Sequence, residues 1–533
     1  MPTQTWDNPY NFDDYLNWRS AFDYYRDDPF LQKIVQHFAG TRWKQVDQAA
    51  REISPQVSFR WRDLADEAAK PKNYPVILHY DAHNHRIDRI VRPMETLVME
   101  REVFSEALFS KNTSHVERLI KMFLIFQNGE ACIACPLTCT EGLVAILEAF
   151  ADTSETEEIL LHCTEGKDGD FGIGAQYLTE IQGGSDLPAN VLEAVRDGDV
   201  WKLYGTKFFC SATHADYAVV TAKPRDRDHI GIFLVPSWLP GNKEKEIRNG
   251  FTIDRLKWKM GTSELTTAEI TFNGAVAYPL GPFGRGLANV VGIVLTYSRL
   301  AVGLSGAASM TRATREAEKY SELREAFGQK IGGFPLVAWQ IADLKHHARS
   351  STAAAFKIYQ QFFQLEGKLK GAITPHDPPE LRYKRFDVRE LVMLQKITSS
   401  WDAVDQLRKA ISIFGGHGVI EDFSALPRLY RDAAVNELWE GPRNVLLTQI
   451  FRDFKKVGTW YAPADFVRSI LAGADSKLVA DLAEEIDNLL VAPSLDEKNA
   501  SALTTCRQWD EFCHRLFHAY QDHALAEVLQ SSS

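Results

Sequence analysis

Residues 431–444 read RDAAVNELWEGPRN. This stretch sets Glu440 between a tryptophan and a glycine, close to the end of an apolar helical run. A carboxylate in that place is either a solvated helix end or a partly desolvated base. The rest of the chain has to separate the two.

The chain has 533 residues, 45% hydrophobic and 25% charged, an ordinary globular composition. At about 100–200 residues per domain, three or four structural units are expected. The formal net charge of -11 argues against a general nucleic-acid binder, which needs a basic face to displace phosphate counterions. The N-terminus is acidic and aromatic and has no basic segment leading into an apolar core, so no secretory signal is expected. No uninterrupted run of about 18 apolar residues occurs, so no membrane span is expected. Seven scattered cysteines are too few for a disulfide scaffold, which points to a reducing cytoplasm.

The pattern along the chain predicts an α+β protein. Residues 1–170 read as mostly helical, with apolar positions three and four apart in FSEALFSKNTSHVERLIKMFLIFQ and EGLVAILEAFADT. Residues 171–285 change texture to short β-branched and aromatic runs cut by Gly, Pro and Asn, a compact β domain. Residues 286–453 read as a helical bundle. Its first long helix is rich in Gly, Ala and Ser, which lets a neighbour approach closely, and further helices are expected at about 335–366 and 388–414. Between those two lies the Pro- and charge-rich segment GAITPHDPPELRYKRFD, read as a loop. Residues 454–533 form a helical extension whose SSS end is expected to fray.

Four further stretches hold candidate chemistry. In QYLTEIQGGSDLPAN, paired glycines before Ser and Asp form a turn whose N–H groups can face an anion or a ring edge, though an Asx-capped turn explains it as well. In GTKFFCSATHAD, Phe209 and Ser211 fall on one strand face, where an aromatic could stack on a planar ring while a hydroxyl meets its edge. A core Phe beside a loop Ser is the plainer alternative. In SELREAFGQKIGGFPLVAWQIADL, Arg324 precedes Phe327 and Gln340, and its planar fork suits a diphosphate or simply a surface turn. In ISIFGGHGVIEDFSALPRLYRD, Gly415 and Gly416 could admit a dinucleotide's backbone contact or merely cap a helix.

Taken together, in this order and spacing, the five stretches resemble the acyl-CoA dehydrogenase family. They match its TEPxxGSD, KxWITN, RxxFG, IFGGxG and RDxxxxxxYEGT signatures over residues 90–453. The long N-terminal region, ACPLTCTEG and the extra C-terminal helices look most like the branch of the adaptive-response alkylation protein.

The resemblance implies an N-terminal helical domain, a central β domain and a C-terminal four-helix bundle, with non-covalent FAD between them. Leu178, Thr179, Gly184 and Ser185 would line the flavin and the thioester. Phe209 takes the place of the flavin-stacking Trp, and Ser211 that of the Thr near flavin N5. Arg324, Phe327 and Gln340 would hold pyrophosphate and adenine from a neighbouring subunit, with Gly415 and Gly416 on the same cofactor, implying a homotetramer or homodimer. Glu440 falls on the catalytic carboxylate. In some relatives the base lies on the long helix after the β domain; that position is Ser298 here, before the substrate-side Arg299.

Some departures matter. Pro442 replaces the Thr after EG and removes a hydroxyl and an N–H, for which Asn444 could substitute. Phe209 keeps stacking but lacks an indole N–H, and Ile181 stands where the family has Pro. Residues 453–533 carry seven Lys/Arg against thirteen Asp/Glu, so the DNA association described for the alkylation-response relatives is not carried over. No metal site is read: Cys132, Cys135 and Cys139 lack a further CxxC or His pair, and His346, His347 and His417 read as surface or cap residues. FGIGAQ lacks the βαβ unit of a nicotinamide site.

The expected activity is α,β-desaturation of an acyl-CoA thioester by an FAD enzyme, with an electron-transfer protein or oxygen as acceptor. The alternatives are a flavin oxidase or dehydrogenase acting on a substrate without CoA, and a flavin-binding stress or scaffold protein with little turnover.

Overall fold

A computed structural model describes residues 10–198, 200–365, 377–492, 494–496 and 498–530. The SSS terminus and the beginning of the Pro-rich segment lie outside them.

The N-terminal region is built of helices, the most buried being His115–Phe126 and Ala134–Phe150. A hairpin that the sequence reading did not separate from them, Val76–Tyr80 with Arg86–Val91, interrupts the helices. Asp81 closes its turn by accepting from the N–H groups of His83 and His85, both at 2.8 Å.

The β domain is a sheet closed into a ring. Glu193–Asp197 pairs with Val200–Ser211, which pairs with Thr267–Pro279; that strand reaches Gly231–Pro236 and then Tyr217–Pro224. A short parallel pairing of Tyr217–Pro224 with Glu193–Asp197 closes the circuit. Gly174–Tyr177 and Phe251–Leu256 add to its edges. The register of Val200–Ser211 slips between Lys207 and Cys210, a bulge that presents both Phe208 and Phe209 toward one cavity.

In the bundle, Leu295–Leu323 lies between Pro335–Gln364 and Pro379–Phe414, with Leu426–Asn436 and Arg443–Val457 alongside. Close approach rests on two glycines. A Cβ on Gly303 would meet Gln395 at 2.4 Å, and one on Gly306 would meet the Ser399 carbonyl oxygen at 2.7 Å. The helix expected from residue 388 begins at Pro379, because a proline in the first turn sacrifices no hydrogen bond, so LRYKRFD is helical rather than loop. The run Phe283–Leu323 is by length and composition apolar enough to cross a membrane, and 67% of its apolar window is buried inside the protein. Three helices, Pro463–Ile470, Ser476–Leu489 and Ala500–Gln530, form the extension, and Ala500–Gln530 lies on the bundle.

Candidate active site

Where the β ring, the helix Leu295–Leu323 and the 437–442 turn meet, they enclose a cavity of about 1200 Å³. Of the residues that the resemblance assigns to cofactor, substrate or catalysis, eight line it: Leu178, Thr179, Gly184, Ser185, Phe209, Ser211, Arg299 and Glu440. Asn444 does not; it is exposed on the first turn of Arg443–Val457. Ser298 is fully buried, and its hydroxyl donates to Val294 O and exchanges with the Gln176 amide.

The Glu440 turn is held by two buried cations. Arg299 Nε donates to the Glu440 carbonyl oxygen at 3.1 Å, and Lys396 Nζ donates to the carbonyl oxygens of Glu437 and Gly441. Glu440 itself sits in the left-handed region at φ 58°, a strained setting for a residue with a Cβ, followed by Gly441 at φ 102°. Burial raises the Glu440 carboxyl to about 7, against the lowering influence of Arg299 and Lys396. Burial also brings Arg299 down to about 10 and Lys396 to about 8. Lys396 was missed by the sequence reading. Its signal was a single cation inside the apolar run ELVMLQKITSSW.

A second carboxyl, Glu130, also lines the cavity. Burial, with Glu264 and Asp432 adding repulsion, pushes it well above the usual carboxylate range. It accepts from Cys135 N at the start of Ala134–Phe150. Asp432, raised to about 7, accepts from Thr262 N and Glu130 N and so ties two loops to the helix that precedes Glu440. Among these carboxyls, Glu440 combines a place on the cavity wall with a pKa at the edge of ionisation, which is what a general base requires.

The Thr179–Ser185 turn owes its shape to a buried ion pair. Lys207 Nζ donates to Glu180 Oε1 at 2.8 Å, Leu178 O at 3.0 Å and Thr221 Oγ1 at 3.2 Å. Glu180 also accepts from Val191 N and Leu192 N. A Cβ on Gly184 would meet Thr179 Oγ1 at 2.6 Å, so any other residue there would press on the Thr179 side chain. Neither member of the pair was named from sequence, since Lys207 and Glu180 stand 27 residues apart. On the strand, Ser211 Oγ lies 3.1 Å from Thr267 Oγ1, and the Phe209 ring is 48% exposed toward the cavity. Lys257 Nζ covers the neighbouring Phe208 ring at 3.3 Å.

Arg324, Phe327, Gln340, Gly415 and Gly416 lie outside the cavity wall, on the exterior of the bundle. Phe327 and Gly328 form the two-residue turn between Glu325–Ala326 and Gln329–Lys330, both with positive φ, and the Phe327 ring is 96% exposed. His417 is not a plain cap: its ring stacks on Phe423 and its Nδ1 lies 2.9 Å from the Tyr320 hydroxyl. Cys132, Cys135 and Cys139 pack with Leu265 against Trp439, and the Cys135 and Cys139 sulfurs are 3.8 Å apart.

Comparisons with known proteins identify the three regions of the chain. Residues 17–164 match the adaptive response protein AidB N-terminal domain, residues 175–275 the acyl-CoA dehydrogenase middle domain, and residues 284–454 the acyl-CoA dehydrogenase C-terminal domain. The Caenorhabditis elegans acyl-CoA dehydrogenase family member 11 is 27% identical over 452 residues, covering 81% of this chain and 70% of that protein. The structure of C. elegans ACDH-11 in complex with C11-CoA superposes with a TM-score of 0.77 at 23% identity, covering 95% of this chain and 91% of that one. An acyl-CoA dehydrogenase complexed with FAD from Bacillus anthracis superposes with a TM-score of 0.67 at 16% identity, covering 96% and 84%.

Proposed function

Given that the chain belongs to the acyl-CoA dehydrogenase family, we propose that it is an FAD-dependent oxidoreductase that desaturates an acyl thioester between Cα and Cβ. The observation that carries this reading is Glu440: a carboxyl poised near 7 on the wall of a cavity that also presents Phe209 and Ser211.

The residues present suit a flavin. A half-exposed aromatic ring, two hydroxyls at the strand edge and a glycine turn packed on the Thr179 side chain share one cavity. That cavity exceeds the roughly 300–1,000 Å³ of a typical single-ligand site, leaving space for a substrate beside the cofactor. Leu178, Thr179, Gly184, Ser185, Phe209 and Ser211 would hold the ring system there. A flavin so bound supplies the acceptor for the β-hydride.

The chain's own part is proton removal and positioning. Glu440 takes the α-proton, which is weakly acidic, so the base needs a pKa lifted toward neutrality. Arg299 and Lys396 hold its backbone in place, and their charges keep the carboxyl from being lifted so far that it stays protonated. Apolar residues such as Val291, Leu295 and Val302 line the same cavity and suit an acyl chain.

The exposed Phe327 turn supports assembly as a homodimer or homotetramer. A large aromatic held in a strained turn and left in solvent is explained by a partner that covers it. Arg324, Gln340, Gly415 and Gly416 would then complete the cofactor site of a neighbouring subunit.

The test is anaerobic titration of the purified yellow protein with a panel of acyl-CoAs beside Glu440→Gln. Bleaching of the flavin by one chain class, lost in the variant, supports the reading. Bound flavin that no thioester bleaches would transfer it to a substrate without CoA, and absence of flavin would sink it.

A further inference from the structure

We propose that Asp402, His514 and His518 form a site for a divalent transition metal that fastens the C-terminal extension to the bundle. Asp402 lies on Pro379–Phe414 and is almost fully buried. His514 and His518 lie one turn apart on Ala500–Gln530, in the segment HRLFH. One ligand atom from each of the three side chains can be chosen so that all lie within 4.8 Å of one another.

The spacing suits an ion. His518 Nε2 is 2.9 Å from Asp402 Oδ2, and His514 Nε2 is 4.0 Å from Asp402 Oδ1. Ligands about 2.0–2.2 Å from a tetrahedral zinc are about 3.3–3.6 Å from each other, so each imidazole nitrogen stands within about 0.7 Å of that separation from one of the two carboxylate oxygens. The two imidazole centroids are 4.1 Å apart.

Hydrogen bonding within the chain leaves this cluster incomplete. Asp402 and His518 satisfy each other. His514 Nε2, the nitrogen facing the carboxylate, stands 4.0 Å from Asp402 Oδ1, beyond hydrogen-bond reach. A ring nitrogen held beside a buried carboxylate without a hydrogen bond to it is available as a ligand. Two imidazoles and one carboxylate favour zinc, cobalt, nickel or copper over magnesium or calcium. The opposing charge nearby is Arg443, whose Nε is engaged by Asp510 Oδ1 at 2.6 Å. With Asp402 and Asp510 against this one guanidinium, the surroundings tolerate an added cation.

The site is separate from the flavin cavity, since none of its three residues lines that wall. It joins an extension beyond residue 454, where the match to the C-terminal domain ends, to the helix that carries Lys396.

The experiment uses the full-length protein, dialysed against chelator and titrated with Zn²⁺ alone by calorimetry, with Co²⁺ as an optical probe. The expected result is one equivalent of Zn²⁺ and a rise of several degrees in the thermal midpoint at excess metal, of the size that about 100-fold saturation gives. His514→Gln should lose affinity by about 100-fold or more. Because His514 makes no hydrogen bond, its metal-free midpoint should stay unchanged, which separates lost ligation from misfolding. Cys135→Ser/Cys139→Ser should keep the full equivalent, and the Co²⁺ spectrum should show no thiolate charge-transfer band. Failure to bind Zn²⁺, binding that persists in His514→Gln, or a thiolate band would each overturn the proposal.

Discussion

Arg299 Nε donates to the carbonyl oxygen of Glu440 across 3.1 Å. One guanidinium thus fixes the backbone of the carboxyl-bearing turn while its charge restrains the carboxyl's own pKa. Burial still outweighs that restraint, and Glu440 settles at about 7.

The first prediction concerns rate against pH. Flavin reduction by substrate should rise as pH passes about 7, because only the ionised Glu440 can accept a proton. Arg299→Gln removes a charge that lowers this pKa, so its midpoint should move to higher pH. Stopped-flow reduction across pH 5.5 to 9 reads both curves, and a downward move in the variant would contradict the assignment.

The second concerns stability of the apoprotein. The folded pKa of Glu440, about 7, lies above its ordinary 4.5, so the native state holds the proton more tightly. The group therefore costs no stability below pH 4.5, and stability is progressively lost as pH rises through 7. Glu440→Gln escapes that loss. Urea unfolding should show the variant gaining on wild type from pH 5 to pH 8, whereas an equal difference at both would rule this out.

Breaking the pair beneath the Thr179–Ser185 turn should be severe. Lys207→Met leaves Glu180 buried without its cation and is expected to cost about 3–5 kcal/mol, with loss of flavin retention. Adding Glu180→Gln should restore part of the stability. Denaturant melts of the two single variants and the double variant measure that coupling, and strict additivity would refute it.

Helix spacing in the bundle makes a graded prediction. Gly306→Ala drives a methyl against a backbone carbonyl, which cannot turn aside, while Gly303→Ala meets the end of the Gln395 side chain. The costs should fall within about 1–3 kcal/mol, larger at 306. Thermal melts that rank 303 as the worse site would show that Gln395, not the backbone, sets the spacing.

The exposed turn can be probed by assembly. Phe327→Ser should leave the fold of the single subunit intact, because the ring is 96% exposed. Sedimentation should shift toward smaller species and bound flavin should fall. An unchanged assembly with full flavin would remove Phe327 from the interface.

Much of this protein was readable in its residues. Helical periodicity, short β-branched runs and local signatures such as EG at 440–441 and GGSD at 183–186 depend on neighbours in the chain, so the order of helices, sheet and helices and the place of Glu440 on the cavity wall could be anticipated. The start of Pro379–Phe414 was misjudged because proline reads as a breaker although it is harmless in a first turn. The hairpin at Val76–Tyr80 was lost inside a helical region because its strands are brief.

Tertiary structure alone brought Lys396 to the Glu440 turn, Lys207 to Glu180, and His514 and His518 to Asp402, partners separated by 27 to 116 residues. The physical reason is that a buried charge announces itself in sequence only as one polar letter in an apolar run. Which opposite charge or carbonyl satisfies it depends on how distant elements pack, and so does the desolvation that raises the Glu440 carboxyl.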